Sequence, residues 1–345
     1  MKKKAAGFGG RELLILGIES SCDETACAVL RGTRILSNKI ASQIEIHKRF
    51  GGVVPEIASR NHVLAIDNLV KEALKEAGAE QEELDAIGVT FGAGLLGALL
   101  VGESYAKAFA YALDKPLYAV NHIRGHIAVN YIASPELEPP FVCLIASGGH
   151  TAVAYVRAHD EVEIMGSTQD DACGEAFDKV ARVLGLPYPG GPQIEKLALS
   201  GSPSIALPVP FKGSDTLDFS FSGIKTAVIN YVNMLKMKGN VLPAADIAAS
   251  FQELVTDIMC DRLMRASAAR GCDKVVIAGG VGANKCLRAK VAREAERRGI
   301  KAFYPPISLC TDNGVMIAAQ TLSMIKAGRE CADFDLDADA DLRIE

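Results

Sequence analysis

Two stretches of the chain follow one plan, and that plan limits the fold more than any other feature. Leu13-Leu14-Ile15-Leu16-Gly17-Ile18 leads through the polar turn Glu19-Ser20-Ser21-Cys22-Asp23-Glu24-Thr25 into Ala26-Cys27-Ala28-Val29-Leu30. Phe141-Val142-Cys143-Leu144-Ile145-Ala146 leads through Ser147-Gly148-Gly149-His150-Thr151 into Ala152-Val153-Ala154-Tyr155-Val156. Apolar runs of five or six residues bounded by turn residues read as buried strands. A strand, polar turn, strand unit that occurs twice predicts two similar lobes around a cleft. A chain of 345 residues is long enough to give each lobe its own core.

Between the two hairpins, strand-like and helix-like segments alternate, which predicts an α/β protein. A strand over 33–40 precedes the Gly-Pro loop 47–56. An amphipathic helix over 57–77 stops at Gly78, a strand covers 84–90, and Phe91-Gly92-Ala93-Gly94 turns into a helix over 95–113. The architecture that uses such a duplicated plan is the actin, sugar-kinase and Hsp70 (ASKHA) fold. The expected layout is a flexible arm over 1–12, an N-terminal lobe over 13–135 and a C-terminal lobe over 136–325. That second lobe carries a helical insertion at about 193–270. A last helix, 313–325, is placed to pack back on the first lobe, and an acidic tail covers 326–345.

Nine cysteines without metal-finger spacing, several inside apolar runs, read as reduced thiols, most of them small buried hydrophobes. Met1-Lys2-Lys3-Lys4 is basic, but no signal-peptide core follows, and no stretch is long enough to span a membrane. These features predict a cytoplasmic protein with no membrane partner. The net charge is −5, and the tail from Cys331 holds six acids against Arg343, which leaves the remainder neutral. A global polyanion-binding footprint is therefore absent, although the segment 283–301 is locally basic; most such runs are solvated helix faces.

The apolar run Pro116-Leu117-Tyr118-Ala119-Val120 delivers Asn121-His122-Ile123-Arg124-Gly125-His126. A helix starting there puts His122 and His126 at i and i+4 on one face, where two imidazoles can converge on one divalent metal. Zinc peptidases use the same spacing with a Glu directly after the first His as general base; Ile123 and Arg124 stand here instead, so a peptidase lacks its base. Asp312, in Leu309-Cys310-Thr311-Asp312-Asn313-Gly314 ahead of an apolar helix, is the choice for a third ligand. Two histidines and a carboxylate suit iron or zinc, and iron accepts further substrate oxygens. The plain alternative is a pair of hydrogen-bonded histidines at a helix start.

Other segments carry weaker signals. Asp178 and Glu175 can lie on one helix face, where a carboxylate can take the two hydroxyls of a ribose; for Glu175 the plain alternative is capping and a surface ion pair. Gly279-Gly280-Val281-Gly282-Ala283-Asn284 ends a strand where backbone can approach a flat base, with Asn284 able to read a purine edge.

Nine motifs in order, 17–25, 51–56, His122-x3-His126, 147–151, 174–179, Tyr188-Pro189-Gly190-Gly191-Pro192, 219–226, 278–284 and 310–314, resemble the universal tRNA threonylcarbamoyladenosine transferase of bacterial type. That family was once labelled an O-sialoglycoprotein endopeptidase, and the resemblance covers roughly residues 13–325. It implies transfer of a threonylcarbamoyl group from threonylcarbamoyl-AMP to N6 of adenosine 37 in tRNAs reading ANN codons. It implies one Fe2+ per subunit, or Zn2+ or another divalent metal, on His122, His126 and Asp312. It implies an adenylate site lined by Ile145, Ala146, Ser147, Gly148 and Gly149, with Asp178 and Gly191 at the ribose and Asn284 at the adenine. Glu195 stands where bacterial members often carry Asp and is left out of that set. The implied partners are tRNA, an inactive paralogue (TsaB type) and a small ATPase (TsaE type).

AMP is already a good leaving group, so no enzyme nucleophile is required, and Glu19, Asp23 and Glu24 are the candidates for proton removal. The competing reading is an ASKHA-type ATPase or sugar kinase, which gives no reason for the histidine pair.

Overall fold

The computed structural model describes residues 11–344, which divide into two compact units. Of the expected arm 1–12, residues 1–10 lie outside the described residues. Unit 1 takes the chain up to Glu138, the turn Ala158–Glu161 and everything from Thr311; unit 2 takes Pro139–Arg157 and Val162–Cys310.

Unit 1 is built on β1 (Leu14–Glu19), β2 (Glu24–Arg31), β3 (Arg34–Ser42), β4 (Ala86–Gly92) and β5 (Leu117–Asn121), in the order β3-β2-β1-β4-β5. The first three strands form an antiparallel meander, and β4 and β5 run parallel to β1. The helices α1 (Ile44–His47), α2 (Pro55–Ala77) and α3 (Leu96–Ala112) join them, and α4 (His122–Ala133) follows β5. Pro55 opens α2, and Gly78 closes it in the left-handed region at φ 61°. The buried stripe Ala58, His62, Ile66, Leu69, Val70, Ala73, Leu74 keeps helical spacing and covers the sheet.

Unit 2 repeats the arrangement with β6 (Phe141–Ala146), β7 (Thr151–Ala158), β8 (Glu161–Ser167), β9 (Lys274–Ala278) and β10 (Lys301–Phe303), in the order β8-β7-β6-β9-β10. As in unit 1, the hairpin is antiparallel and the two later strands are parallel to its first. The duplicated hairpin of the sequence is thus a duplicated sheet. Its helices are α5 (Cys173–Val183), α6 (Gly190–Ala198), α7 (Ser222–Met237), α8 (Ala244–Arg270) and α9 (Lys285–Arg298).

The run 193–270 is mostly helical; residues 199–221 contain no helix, because Gly201, Pro203, Pro208 and Pro210 interrupt the pattern. Its long helix α8 packs on β6 and β9 and buries Phe251, Val255, Met259 and Leu263 in the core of unit 2. The strands β8 and β10 differ from the sequence expectation, since the Glu-Val-Glu-Ile start of β8 is a half-exposed edge and β10 is three residues long with none of them fully buried.

The last helix, α10 (Gly314–Lys326), belongs to unit 1 and packs on β1, β2 and α4. Gly17 and Gly88 are register partners in β1 and β4 and make this possible. A Cβ on Gly17 would press on the Gly314 carbonyl oxygen and stand 2.5 Å from Ala318 N. The helix backbone therefore lies directly on strand backbone, and its N-terminus is fixed against the sheet.

Candidate metal centre

The centre is assembled from two helix starts. The Asn121 side chain at the end of β5 accepts hydrogen bonds from the N–H groups of Ile123 and Arg124 (2.9 and 3.1 Å), so α4 begins at His122 and brings His126 round one turn later. Asn313 caps α10 in the same way through Met316 N (3.0 Å), and Asp312 precedes it. Packing of α10 on α4 brings the three residues together: His122, His126 and Asp312 each offer a ligand atom, all within 4.8 Å of one another.

His126 Nε2 lies 3.1 Å and His122 Nε2 3.5 Å from Asp312 Oδ1. Two ligands about 2.1 Å from one ion at tetrahedral or octahedral angles stand about 3.0–3.4 Å apart; the 3.1 Å separation falls in that range and the 3.5 Å one lies just above it. The histidine rings stand nearly perpendicular at 84°. His126 is completely buried, yet neither of its ring nitrogens makes a hydrogen bond. A buried imidazole left unsatisfied is costly, and lone-pair donation to a cation is what such a ring suits. The donor set therefore fits a divalent metal.

Glu19 backs this group from behind. Its Oε2 lies 3.1 Å from His122 Nδ1 and accepts from the Thr90 hydroxyl (2.6 Å), while its Oε1 accepts from Ser21 N–H (2.5 Å). Ser21 Oγ is also 3.1 Å from His122 Nδ1. A carboxylate on Nδ1 fixes the tautomer that leaves Nε2 free for a metal. Burial alone would raise the Glu19 carboxyl, but the adjacent His122 ring outweighs it and holds Glu19 below the usual carboxylate range. For His122, burial disfavours the charged ring, and the Glu19 and Asp312 carboxylates overcome this and lift its pKa to about 9. Burial, then Asp312 and Asp23, push Glu24 up to about 9. Carboxylates are thus in excess here, a field that a divalent cation relieves.

One consequence can be measured directly. Glu19→Gln keeps the shape but loses the carboxylate on His122, and Co2+ affinity measured by titration is expected to fall about 10- to 100-fold. Unchanged affinity would remove Glu19 from this role.

Sequence reasoning missed two histidines that shape the surroundings. His62, on the buried face of α2, binds the turn of the first hairpin through Thr25 Oγ1 (2.7 Å) and Cys22 O (2.9 Å). Buried His47 lies 3.3 Å from Gln43 Oε1 and accepts Val54 N–H (3.3 Å), closing the Gly51-Gly52 loop. A histidine in phase with the α2 stripe was the available signal for His62; His47 had none. Of the other acids, Asp23 is buried, and Glu24 accepts from Ser42 Oγ (3.1 Å).

The residues expected at the adenylate all lie in unit 2. Ile145 and Ala146 are the last residues of β6, and their side chains are buried, so they offer only backbone. Ser147 Oγ accepts His150 N–H (3.1 Å), which shapes the turn, and Gly148 and Gly149 are exposed. A Cβ at Gly148, Gly149 or Gly191 would meet nothing within 4 Å, so each presents bare backbone to open space. Asp178 Oδ1 accepts Gly190 N–H (2.6 Å) and thereby ties α5 to the glycine pair at the start of α6. Asn284 is largely committed to the fold: its carbonyl caps α9 through Leu287 N (2.9 Å) and its amide donates to Gln252 Oε1 (2.9 Å). Glu195 accepts the neighbouring Lys285 N–H (2.6 Å), which joins α6 to the same helix start.

Among solved structures, the chain matches HypF of T. kodakarensis with a TM-score of 0.61 at 16% identity, over 92% of this chain and 48% of that one. It matches component A of the (R)-2-hydroxyglutaryl-CoA dehydratase of Acidaminococcus fermentans with a TM-score of 0.54 at 15% identity, over 91% and 99%. At such identities the likeness shows the fold alone, an α/β protein of the ASKHA class. Sequence gives more. The family model for tRNA N6-adenosine threonylcarbamoyltransferase matches residues 34–319. Relatives of that name are 53% identical over 333 residues in Clostridium perfringens, covering 96% of this chain and 98% of theirs, and 53% identical over 324 residues in Clostridium botulinum, covering 93% and 95%. The chain belongs to the tRNA N6-adenosine threonylcarbamoyltransferase family.

Proposed function

We propose that the chain is an acyltransferase that moves the threonylcarbamoyl group from threonylcarbamoyl-AMP to N6 of adenosine 37 in tRNAs reading ANN codons. The observation that carries this reading is the buried His122, His126, Asp312 group in a chain about half identical, over nearly its whole length, to relatives of that name. Among divalent metals Fe2+ suits two imidazoles and a carboxylate with room for substrate oxygens; Zn2+ meets the same donors. When bound, the metal supplies charge for orienting and polarising the carbamoyl carbonyl.

The chain's own residues do the rest. Glu19 and Ser21 hold the His122 ring in place, and its commitments leave Glu19 a positioning role. Ser147, Gly148 and Gly149 offer the exposed turn, with Asp178 and Gly191 for the ribose and Asn284 for the adenine side. In the transfer the bond from N6 to the carbamoyl carbon forms, the bond from that carbon to the phosphate oxygen breaks, and AMP leaves. The N6 proton goes to water or to Asp23 or Glu24. Exocyclic N6 is a weak nucleophile, so placement of the tRNA supplies much of the rate.

A chain of net charge −5 brings little field of its own to a polyanion. We assign the missing surface to an inactive paralogue and a small ATPase, and the setting to the cytoplasm, where tRNA and reduced thiols coexist; the nine cysteines are free. Among the described residues no helix is long and apolar enough to cross a membrane. The ATPase or sugar-kinase alternative rests on the fold alone.

The test is mass spectrometry of nucleosides from total tRNA after depletion of the protein in its host. Loss of threonylcarbamoyladenosine, restored by the wild-type chain and not by His122→Ala, is the expected result. Unchanged levels after thorough depletion, in a host without a second copy, would overturn the assignment.

A further inference from the structure

The acidic segment after α10 is docked on unit 1. Ala332 N–H donates to Leu117 O on β5 (2.7 Å), and Phe334 packs edge-on against Tyr111. Lys107, paired with the buried Glu103 at 2.7 Å, donates to Leu336 O. Further on, Asp339 N–H donates to Phe91 O (2.8 Å), and Ala340 O accepts Gly94 N–H (3.1 Å). Gly92 has no room for a side chain, because a Cβ there would run into Asp339 O and stand 2.6 Å from Leu342 Cβ. Burial alternates along the segment, with Leu336, Ala338, Ala340, Leu342 and Ile344 half-buried and Asp337, Asp339, Asp341 and Arg343 exposed. The segment forms neither helix nor strand and turns twice, through Leu336 N–H to Asp333 O (3.2 Å) and Leu342 N–H to Asp339 O (3.4 Å), so its apolar residues meet unit 1 in separate short contacts.

The segment ends on the turn that carries the first metal-site histidine. Asn121 Nδ2 donates to Arg343 O (3.0 Å), from the same side chain whose carbonyl caps α4. Arg124, between His122 and His126 in sequence, donates from Nε to Ile344 O (2.8 Å). Its Nη1 donates to Asp160 Oδ1 (2.8 Å) and to Asp160 O (3.1 Å), and Arg329 holds the other oxygen of that carboxylate. One guanidinium thus joins the metal-bearing turn, the Ala158–Glu161 turn and the docked segment, all within unit 1.

We propose that residues 332–344 form a strap that sets the position of His122 and His126, and that Arg124 is the positioning residue through which it acts. The inference rests on the reading of His122, His126 and Asp312 as metal ligands. The strap restrains the first turn of α4 from outside while Glu19 restrains His122 from inside. Without either restraint the two Nε2 atoms meet the ion in less constant geometry.

The experiment compares the wild type, Arg124→Ala, a chain truncated after Arg329, the combination of the two, and His126→Ala. Each is measured for Co2+ affinity, the visible spectrum of bound Co2+, and the unfolding temperature of the metal-free chain. Arg124→Ala and the truncation are each expected to weaken Co2+ binding about tenfold or more and to alter the spectrum. The combined variant should be no weaker than the truncation alone by more than about twofold, since both remove one linkage. Affinity and spectrum equal to wild type in Arg124→Ala, whatever its unfolding temperature, overturn the inference, and this variant decides alone if the truncated chain does not fold. Losses that multiply in the combined variant overturn the route through Arg124. A wild type that binds Co2+ no better than His126→Ala overturns the metal reading itself, and the inference with it.

Discussion

His126→Ala is expected to abolish stoichiometric metal binding and to lower threonylcarbamoyl transfer at least about 100-fold, while the metal-free chain stays folded. The second half of that expectation comes from the histidine's surroundings. A buried histidine that serves the fold does so through hydrogen bonds, and deleting it strands its partners at about 1–3 kcal/mol each. His126 has no such bond at either nitrogen, and its 3.1 Å approach to Asp312 is to a part-exposed carboxylate, so alanine gives up packing without stranding a buried partner. Metal analysis and calorimetry on one preparation check both halves. A variant that keeps its full metal content would show that the ion, if any, sits elsewhere; one that cannot fold would return His126 to a structural role.

Gly17→Ala should reach the same centre through α10, the helix that Asp312 leads into. The added methyl group meets the Gly314 carbonyl and Ala318 N and Cβ, with the two Ala318 atoms at 2.5 and 2.9 Å. Backbone cannot rotate aside as a side chain can, so α10 must shift, at a cost of about 3 kcal/mol or more. In a chain of 345 residues that lowers the unfolding temperature by about 4 °C or more. Asp312 leads into α10, so the shift also displaces a ligand, and Co2+ affinity is expected to fall about tenfold with the temperature. Gly88→Ala is the comparison: its methyl would strike the Thr321 side chain, which can turn away at the cost of its hydrogen bond to Ile317 O (2.8 Å). If Gly17→Ala unfolds at the wild-type temperature, the close contact between helix and sheet does not hold in solution.

What the sequence displayed and what it concealed follow from the range of the interactions. The hairpins at 13–30 and 141–156 were legible because strand burial is written in consecutive residues, and they led to two sheets of the same order. The histidine pair was legible because helical spacing is local, and Asp312 because it stands ahead of an apolar helix. Glu19 reads in sequence as one more acid in a polar turn; only the fold reveals that it is completely buried and bonded to Thr90, 71 positions away. Asn284 reads in sequence as a group able to meet a ligand; only the fold reveals that its carbonyl also closes the start of α9, a use that many asparagines ahead of a helix share. The segment 332–344 reads in sequence only as part of an acidic tail, because its acids dominate the composition. Its alternation of Leu and Ala with Asp gains meaning once β5 and the Phe91–Gly94 loop are in place to receive it.

The course of biosynthesis is written into the return of α10 to unit 1. A ribosome releases the strands and helices up to Glu138 long before Asp312, with nearly all of unit 2 in between. Until then β1 and β4 expose the glycine track on which α10 will lie, and α4 displays two histidines without their carboxylate. Unit 2 can finish its core first. The final segment then covers the bare sheet and brings Asp312 to the two histidines, so the His122, His126, Asp312 group is complete only after translation has passed through both units.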